Sequence, residues 1–375
     1  MIDPQKLLNA CLNEDISFYT GVPDSLLKDF CACIENELDS HSHIISTNEG
    51  SSLSLGIGYH LATNKIPLIY LQNSGIGNLI NPLLSLADPE VYNIPLIIMV
   101  GWRGEPGVKD EPQHIKQGKI TDSLIKTMGY EYEILENDQN EAENQIRELA
   151  KNISSPHFLL VKKGTFANYD YTNKSVFLNG FKREEAIRGV VDLISEDDVI
   201  FATTGMISRE LYEYRVKKLK NEKPNFLTVG GMGHCSQIAL GYSHYKSGNR
   251  VFCFDGDGSV LMHMGGLGII GQSKVTNFNH IIFNNSAHDS VGGQPTIGGE
   301  INFEKIAIGL GYDGYQLIES QNQLTKELSD SFFSQGKTLM EIRVEQGNRS
   351  DLGRPIETPI ENKINLMNLD VITQH

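Results

Sequence analysis

Cysteine, tryptophan and long apolar runs are scarce in this sequence. The chain has 375 residues but only five cysteines and one tryptophan. The odd number and scattered positions of the cysteines favour reduced, buried thiols over a disulfide framework or a paired-cysteine metal site. The longest apolar stretch, about residues 94–100, is far too short for a membrane span. The N-terminus has no basic segment before an apolar core, so we predict no signal peptide and a cytoplasmic location.

Positive charge is also limited. Lys and Arg number 32 against 47 Asp and Glu, so the net charge is −15 and the pI is near 5.2. No run of Lys and Arg forms the basic stripe that nucleic acids require. The composition therefore argues against a nucleic-acid or membrane partner. An acidic protein can still bind a small anionic ligand if one pocket concentrates hydrogen-bond donors and a metal ion.

Apolar strands alternate with helices in both halves of the chain. Residues 95–101 are nearly all apolar, which is typical of a parallel strand buried on both faces. Residues 25–37 and 261–270 are predicted helices. This alternation predicts an α/β protein with two doubly wound parallel-sheet domains and no middle domain.

The predicted domain boundary is a polar stretch with no apolar period, the linker at 167–179. We expect a first domain at 1–170 and a second at 180–375, because the chain exceeds what one hydrophobic core usually supports. From about residue 346 onward, where two prolines occur, irregular structure is expected.

The second half places acidic and amide side chains at two predicted strand ends. One apolar strand ends in the string Asp-Gly-Asp-Gly-Ser at 255–259, and another ends in Asn284 and Asn285. Adjacent parallel strands bring such ends to one rim of the sheet, where ligands usually bind. A helix N-terminus after glycines attracts anions, and the carboxylate of Asp257 suits Mg²⁺. The pattern predicts a site for a metal ion and a diphosphate.

The string Gly-Asp-Gly followed 25 residues later by Asn-Asn resembles the cofactor signature of thiamine-diphosphate-dependent enzymes. The resemblance implies thiamine diphosphate and Mg²⁺, with Asp257, Asn285 and the carbonyl of Ala287 as metal ligands. Whether Asn284 or Asn285 coordinates the metal stays open. The residues expected to contact the cofactor's diphosphate are Gly205, Met206, Gly256, Gly258 and Ser259.

The resemblance also implies which residues contact the aminopyrimidine half of the cofactor. Glu49, which opens a predicted helix of small residues, is expected to protonate the aminopyrimidine ring, since a buried carboxyl beside a ring nitrogen is the chemical requirement. A helix-dipole role for this glutamate is the alternative. Met232 is expected to bend the cofactor from below, and the Gly230 carbonyl to receive its amino group. In this family one site uses both domains from different chains, which implies a homodimer or higher homo-oligomer.

Several long strings narrow the resemblance to the short decarboxylases of this family. They are Gly-Val-Pro-Asp-Ser-Leu-Leu at 21–27, Gly-Trp-Arg-Gly-Glu-Pro-Gly at 101–107, Asp-Glu-Pro-Gln-His at 110–114, and Ala-His-Asp-Ser-Val-Gly-Gly-Gln-Pro-Thr at 287–296. The implied reaction is decarboxylation of 3-phosphonopyruvate to phosphonoacetaldehyde. Sulfopyruvate as the substrate and a carboligase of the acetolactate synthase type are the alternatives.

Two further sets of residues follow from this expectation. Asp24, Ser25 and His114 stand at positions that correspond to proton-transfer groups in related decarboxylases, and histidine titrates in the useful pH range. A keto acid with a second anionic group also needs basic donors, because guanidinium matches phosphonate geometry. The candidates for binding the substrate are Arg103, Lys109, His288, Arg349 and Arg354.

Overall fold

The structure, a computed structural model, describes residues 1–171, 176–218, 225–246 and 248–368. The chain folds into two compact units, Met1–Asn173 and Lys174–His375. Within the described ranges, no helix combines the length and apolar character needed to cross a membrane.

The first unit is a six-stranded parallel sheet with helices on both faces. Its strands are β1 (Tyr19–Gly21), β2 (His43–Ile45), β3 (Leu68–Gln72), β4 (Ile97–Gly101), β5 (Tyr132–Ile134) and β6 (His157–Val161), in the order β2-β1-β3-β4-β6-β5. Its α-helices are α1 (Pro4–Asn13), α2 (Lys28–Glu37), α3 (Glu49–Thr63), α4 (Ile76–Pro82), α5 (Pro112–Thr127) and α6 (Gln139–Asn152).

Alternation along β4 shows how this sheet is buried. Ile97 and Met99 join one apolar cluster, while Ile98 and Val100 join the other, on the opposite face. All four side chains are fully buried. A strand covered on both faces must be apolar at every position, which is why its sequence reads as a continuous run.

The second unit has the same construction. Its strands are β7 (Val199–Ala202), β8 (Asn225–Leu227), β9 (Val251–Gly256), β10 (Phe278–Asn284), β11 (Gly314–Ile318) and β12 (Thr338–Arg343), in the order β11-β12-β10-β9-β7-β8. Its α-helices are α7 (Arg183–Leu193), α8 (Met206–Tyr212), α9 (Cys235–Tyr245), α10 (Asp257–Met262), α11 (Gly265–Gln272), α12 (Phe303–Leu310), α13 (Gln321–Glu327) and α14 (Pro359–Met367).

Each pair of neighbouring strands in both sheets is parallel. The predicted α/β class with two parallel-sheet domains is therefore confirmed. The five cysteines are free and buried, as predicted.

Three local predictions were wrong. The helix predicted at 25–37 begins only at Lys28, because Asp24 caps a turn at its start and accepts a hydrogen bond from Leu26 N at 2.8 Å. The helix predicted at 261–270 is two helices, interrupted at His263. The tail predicted as irregular contains α14, which Thr358 and Glu361 begin with a capping box.

Candidate active site

Asp257 and Asn285 lie together at the rim of the second sheet. Strand β9 leads directly into α10, whose first residue is Asp257, and β10 beside it ends at Asn284. The backbone N–H of Asn285 donates to Asp257 Oδ1 at 3.4 Å. The Thr296 hydroxyl donates to Asp257 Oδ2. The two strand ends that were singled out in the sequence therefore meet, and Thr296 is a partner that the sequence pattern did not indicate.

The two asparagines have different surroundings. Asn284 donates to the Gly298 carbonyl and to Glu341 Oε1, both at 2.9 Å, and its oxygen accepts from Ser286 N. Both the NH₂ group and the oxygen of its side-chain amide are thus hydrogen-bonded within the protein. Asn285 donates to Asp289 Oδ2 at 2.7 Å, while its oxygen accepts from Ala287 N at 3.1 Å. Asn285 is the asparagine in contact with Asp257.

Glycine brings backbone against the carboxylate of Asp257. A Cβ added to Gly298 would lie 2.4 Å from Asp257 Oδ2, a distance at which one of them must move. Burial raises the pKa of Asp257 to about 6. No ion pair in the described ranges involves Asp257. A buried carboxylate whose hydrogen-bond partners are neutral fits a bound cation, and oxygen donors of this kind suit Mg²⁺.

A buried ion-pair network supports Asn285 from behind. Asp289 accepts from Arg183 Nη1 at 2.8 Å, and Arg183 also pairs with Glu210 through its Nε at 2.9 Å. Arg183 and Glu210 are 5% and 2% exposed. Burial alone would lower the pKa of Arg183, but the two carboxylates raise it, so the guanidinium stays charged. The sequence pattern gave no signal for Arg183 or Glu210, because they come from α7 and α8.

The residues predicted to hold the diphosphate lie at the end of β9, in the first turn of α10 and at the start of α8. The Ser259 hydroxyl accepts from Gly233 N and contacts the Thr203 hydroxyl, both at 3.0 Å. Gly205 has φ +99°, a conformation that favours glycine, and directly precedes α8, where Met206 is half-buried.

The remaining predicted cofactor residues lie in the same unit. Gly230 and Met232 belong to the connection between β8 and α9, and Met232 is half-buried. Gly256 ends β9, and Gly258 packs against the half-buried His288 ring, since an added Cβ would lie 3.0 Å from the ring. Burial lowers the pKa of His288, which favours a neutral imidazole.

Glu49 occupies a buried position in the first unit. It opens α3 and is 5% exposed, and Asn78 Nδ2 donates to its Oε2 at 2.7 Å. A Cβ at Gly75 would lie 2.2 Å from Glu49 Oε1, so the backbone passes directly over the carboxyl. Burial raises the pKa of Glu49, and the Asn78 hydrogen bond opposes this shift. The burial therefore favours the protonated form of this carboxyl more than water does.

Asp24 is the most enclosed carboxylate of the first unit. It is fully buried, and its Oδ1 lacks a hydrogen-bond partner among the residues that the structure describes. Burial raises its pKa to about 6, against hydrogen bonds from the backbone of the following turn and the charge of Arg103. A Cβ at Gly101 would lie 2.1 Å from Asp24 Oδ2, so the end of β4 also requires glycine.

Arg103, Ser25 and His114 are joined through Asp110. Arg103 donates to Asp110 through Nε and Nη2, at 2.8 and 2.5 Å, and to the Ser25 hydroxyl through Nη1 at 2.6 Å. His114, in the first turn of α5, places Nδ1 2.9 Å from Asp110 Oδ1. Burial raises the pKa of Asp110, but Arg103 and His114 outweigh this and hold it below its ordinary value. Asp110 thus fixes the orientation of both predicted site residues.

The other basic candidates have different environments. Lys109 and Arg354 are exposed. Arg349 is exposed too, and its guanidinium pairs with Glu184 and Asp351 at 2.8 and 2.9 Å and with Glu213. Three carboxylates around one guanidinium leave little attraction for an anionic substrate. Arg103 is the basic candidate that lies beside Asp24 and Ser25.

Sequence comparisons agree with this arrangement. The family profile described as "Thiamine pyrophosphate enzyme, N-terminal TPP binding domain" matches residues 5–125, and "Thiamine pyrophosphate enzyme, C-terminal TPP binding domain" matches 204–342. The first match includes Glu49, and the second includes Asp257.

Three curated relatives are similar to this chain. Phosphonopyruvate decarboxylase of Streptomyces viridochromogenes is 28% identical over 379 residues, which cover 96% of this chain and 93% of that protein. Sulfopyruvate decarboxylase of Methanosarcina acetivorans is 27% identical over 320 residues, 79% of each chain. Sulfopyruvate decarboxylase subunit beta of Methanocaldococcus jannaschii is 36% identical over 151 residues, 40% of this chain and 77% of that subunit. The chain belongs to the thiamine-diphosphate-dependent decarboxylases.

Proposed function

We propose that this chain decarboxylates 3-phosphonopyruvate to phosphonoacetaldehyde and CO₂, with thiamine diphosphate and Mg²⁺ as cofactors. The observation that carries the proposal is the full-length similarity to a phosphonopyruvate decarboxylase. The buried carboxyls of Glu49 and Asp257, one in each unit, support it. In this reaction the bond between the carboxylate and the keto carbon breaks, CO₂ leaves, and a proton takes its place on carbon.

Asp257, Asn285 and the carbonyl of Ala287 would hold Mg²⁺, which would in turn hold the diphosphate. The fit rests on the buried carboxylate of Asp257, which lacks a cationic partner in the described part of the chain, and on its contact with Asn285. Removal of divalent metal by a chelator should abolish turnover, and Mg²⁺ should restore it. Full turnover after exhaustive chelation would contradict this assignment.

The unit that contains Glu49 would bind the aminopyrimidine, and the unit that contains Asp257 would bind the diphosphate. Bound thiamine diphosphate supplies a carbon nucleophile and accepts the electron pair released with CO₂. Glu49 would protonate the aminopyrimidine nitrogen, since its buried carboxyl has a raised pKa. Met232, half-buried in its loop, would support the cofactor, and the Gly230 carbonyl would accept from its amino group.

The proton that is added to the product carbon would come from His114 or Asp24. Burial raises the pKa of Asp24 to about 6, so its carboxyl can exchange a proton near neutral pH. Burial lowers the pKa of His114, which favours the neutral imidazole. Arg103 would attract the second anionic group of the substrate. Its contacts with Asp110 and Ser25 orient it without using every guanidinium hydrogen.

A side-by-side assay on phosphonopyruvate, sulfopyruvate and pyruvate tests the substrate. The proposal expects the highest kcat/KM for phosphonopyruvate, free aldehyde as product and little turnover of pyruvate. Equal or better turnover of sulfopyruvate would assign the chain to the activity named for the two archaeal relatives. A condensation product with a second keto acid would instead indicate a carboligase.

We also propose that each site needs two copies of the chain. Glu49→Gln and Asp257→Asn variants should each be inactive alone. If a site combines Glu49 of one copy with Asp257 of another, an equal mixture that has exchanged subunits regains about a quarter of the wild-type activity. About half of the dimers are then mixed, and half of the sites in each mixed dimer are intact. No recovery in mixed dimers, verified by two different affinity tags, would contradict shared sites.

A further inference from the structure

Below the turn that carries Asp257, three side chains able to bind a metal face one another in the interior. They are Cys253 and Asp255 of β9 and His280 of β10, and their ligand atoms all lie within 4.8 Å of one another. All three side chains are fully buried. This cluster is separate from the oxygen ligands proposed for Mg²⁺ at Asp257.

The strand register explains why these side chains meet. Residues 253 and 255 are two apart, so they project from the same face of β9. His280 stands opposite Cys253 in the adjacent parallel strand β10. Both strands are central in their sheet, which makes the donors rigid. The apolar cluster on this face contains Cys253 and also Cys235.

Two polar atoms of the cluster lack hydrogen-bond partners in the described part of the chain. Asp255 Oδ2 and His280 Nε2 are buried and have no hydrogen-bond partner within the described ranges, although they lie only 3.5 Å apart. The other oxygen of Asp255 accepts from Gly256 N at 3.1 Å, and His280 Nδ1 lies 3.5 Å from the Tyr312 hydroxyl. With Nδ1 donating to Tyr312, Nε2 presents a lone pair to the carboxylate oxygen. In that tautomer two lone pairs face each other in a dry interior, and a cation placed between them would satisfy both.

We propose that Cys253, Asp255 and His280 form a structural zinc site. The donor set of sulfur, nitrogen and oxygen is one that zinc accepts in tetrahedral sites.

Geometry and charge agree with zinc. Bonds of about 2.0–2.1 Å at tetrahedral angles separate two N or O ligands by about 3.4 Å, and the observed Asp255–His280 separation is 3.5 Å. A thiolate and a carboxylate together balance a divalent ion, which removes the cost of isolated charge in the interior. The Tyr312 contact orients the imidazole from its far side, as groups behind metal-bound histidines generally do.

The ion would brace β9 and β10 just before the turn that holds Asp257. Cys253 and Asp255 lie in the strand that enters this turn, and Gly256, its first residue, is hydrogen-bonded to Asp255. Loss of zinc should therefore lower the melting temperature of the protein. The proposal goes beyond the proposed decarboxylase activity and does not depend on it.

Metal analysis of the full chain tests this site. The purified protein is dialysed against excess Mg²⁺ and a weak chelator, and zinc is measured by inductively coupled plasma mass spectrometry. We expect about one zinc ion per chain, and much less in Cys253→Ala and His280→Gln variants. Cys31→Ala is the matched control, because Cys31 is equally buried but outside the cluster, and it should keep the zinc. Asp257→Asn should also keep it, which separates this site from the proposed Mg²⁺ site.

Cobalt substitution covers the case in which a variant fails to fold. The wild-type protein expressed with Co²⁺ should show a thiolate-to-cobalt charge-transfer band and intense visible bands typical of tetrahedral coordination. Wild-type protein that holds no more zinc than the Cys253→Ala variant overturns the proposal. So does a cobalt spectrum without the charge-transfer band.

Discussion

Asp289 accepts a hydrogen bond from the side-chain amide of Asn285 at 2.7 Å and so fixes the orientation of that amide. An asparagine amide can otherwise flip, which would point its N–H groups instead of its oxygen at a cation. Arg183 holds the same Asp289 oxygen from behind at 2.8 Å. The charge of Asp289 is thereby balanced by Arg183 within the protein.

Replacing Asp289 should weaken metal binding more than it weakens the fold. We expect Asp289→Ala to reduce Mg²⁺ affinity by about 10–100-fold, because Asn285 loses the group that orients its amide. Mg²⁺ titrations of cofactor binding, followed by protein fluorescence, measure this change. Asp351→Ala is the control, since Asp351 is 76% exposed in its pair with Arg349 and should leave the affinity unchanged. Equal affinities in all three proteins would refute a role for Asp289.

Glu49→Gln should abolish catalysis and leave the fold intact. The amide keeps the size of the carboxyl and can still contact Asn78, but it cannot supply a proton to the cofactor ring. We expect kcat to fall by about 100- to 10,000-fold, with diphosphate binding retained in a calorimetric titration. Glu37→Gln, a change at an exposed residue of α2, should behave as wild type. Turnover of Glu49→Gln at the wild-type rate would remove Glu49 from the mechanism.

Gly75→Ala should displace the carboxyl of Glu49 while the carboxyl group itself is kept. The added methyl group would lie 2.2 Å from Glu49 Oε1, so either the carboxyl or the backbone must move. We expect a loss of about 1–3 kcal/mol in the free energy of unfolding, together with reduced kcat. The control is Gly309→Ala in α12, where an added Cβ meets nothing within 4 Å of the described chain. That change should stabilise by up to about 1 kcal/mol, as measured by urea denaturation.

Asp24 should make the protein less stable as the pH rises from about 4 to about 6. Its pKa is about 6 in the folded protein against 3.8 for an ordinary aspartate. In this window the unfolded chain loses the proton while the folded chain keeps it, so the free energy of unfolding falls with rising pH, by up to about 3 kcal/mol. Above pH 6 this contribution stays constant.

Asp24→Asn removes that dependence and provides the comparison. Melting temperatures of both proteins at pH 5 and pH 7.5 should differ more at the higher pH, with the variant gaining relative to wild type. A difference that is the same at both pH values would show that Asp24 is ionised in the folded protein throughout.

Much of the fold followed from local sequence. Continuous apolar runs such as β4 are explained by burial on both sides of a parallel sheet, and this pattern is visible without coordinates. The same holds for the two strand ends at Asp257 and Asn285, because glycines and polar residues after an apolar strand mark the rim of the sheet. Helix α5 and the capped α14 were missed, since weak apolar periodicity and two nearby prolines obscured them.

Local sequence by itself determined the parallel-sheet class, the strand ends at Asp257 and Asn285, and the glutamate that opens α3. Tertiary structure decided what surrounds these groups. Which asparagine contacts Asp257, which basic residue lies beside Asp24, and which carboxylates hold Arg183 depend on helices and strands far apart in the chain. Strand register alone brings Cys253 and His280 together. Hydrophobic patterning is set by near neighbours, whereas hydrogen bonds and charges in the interior are set by packing.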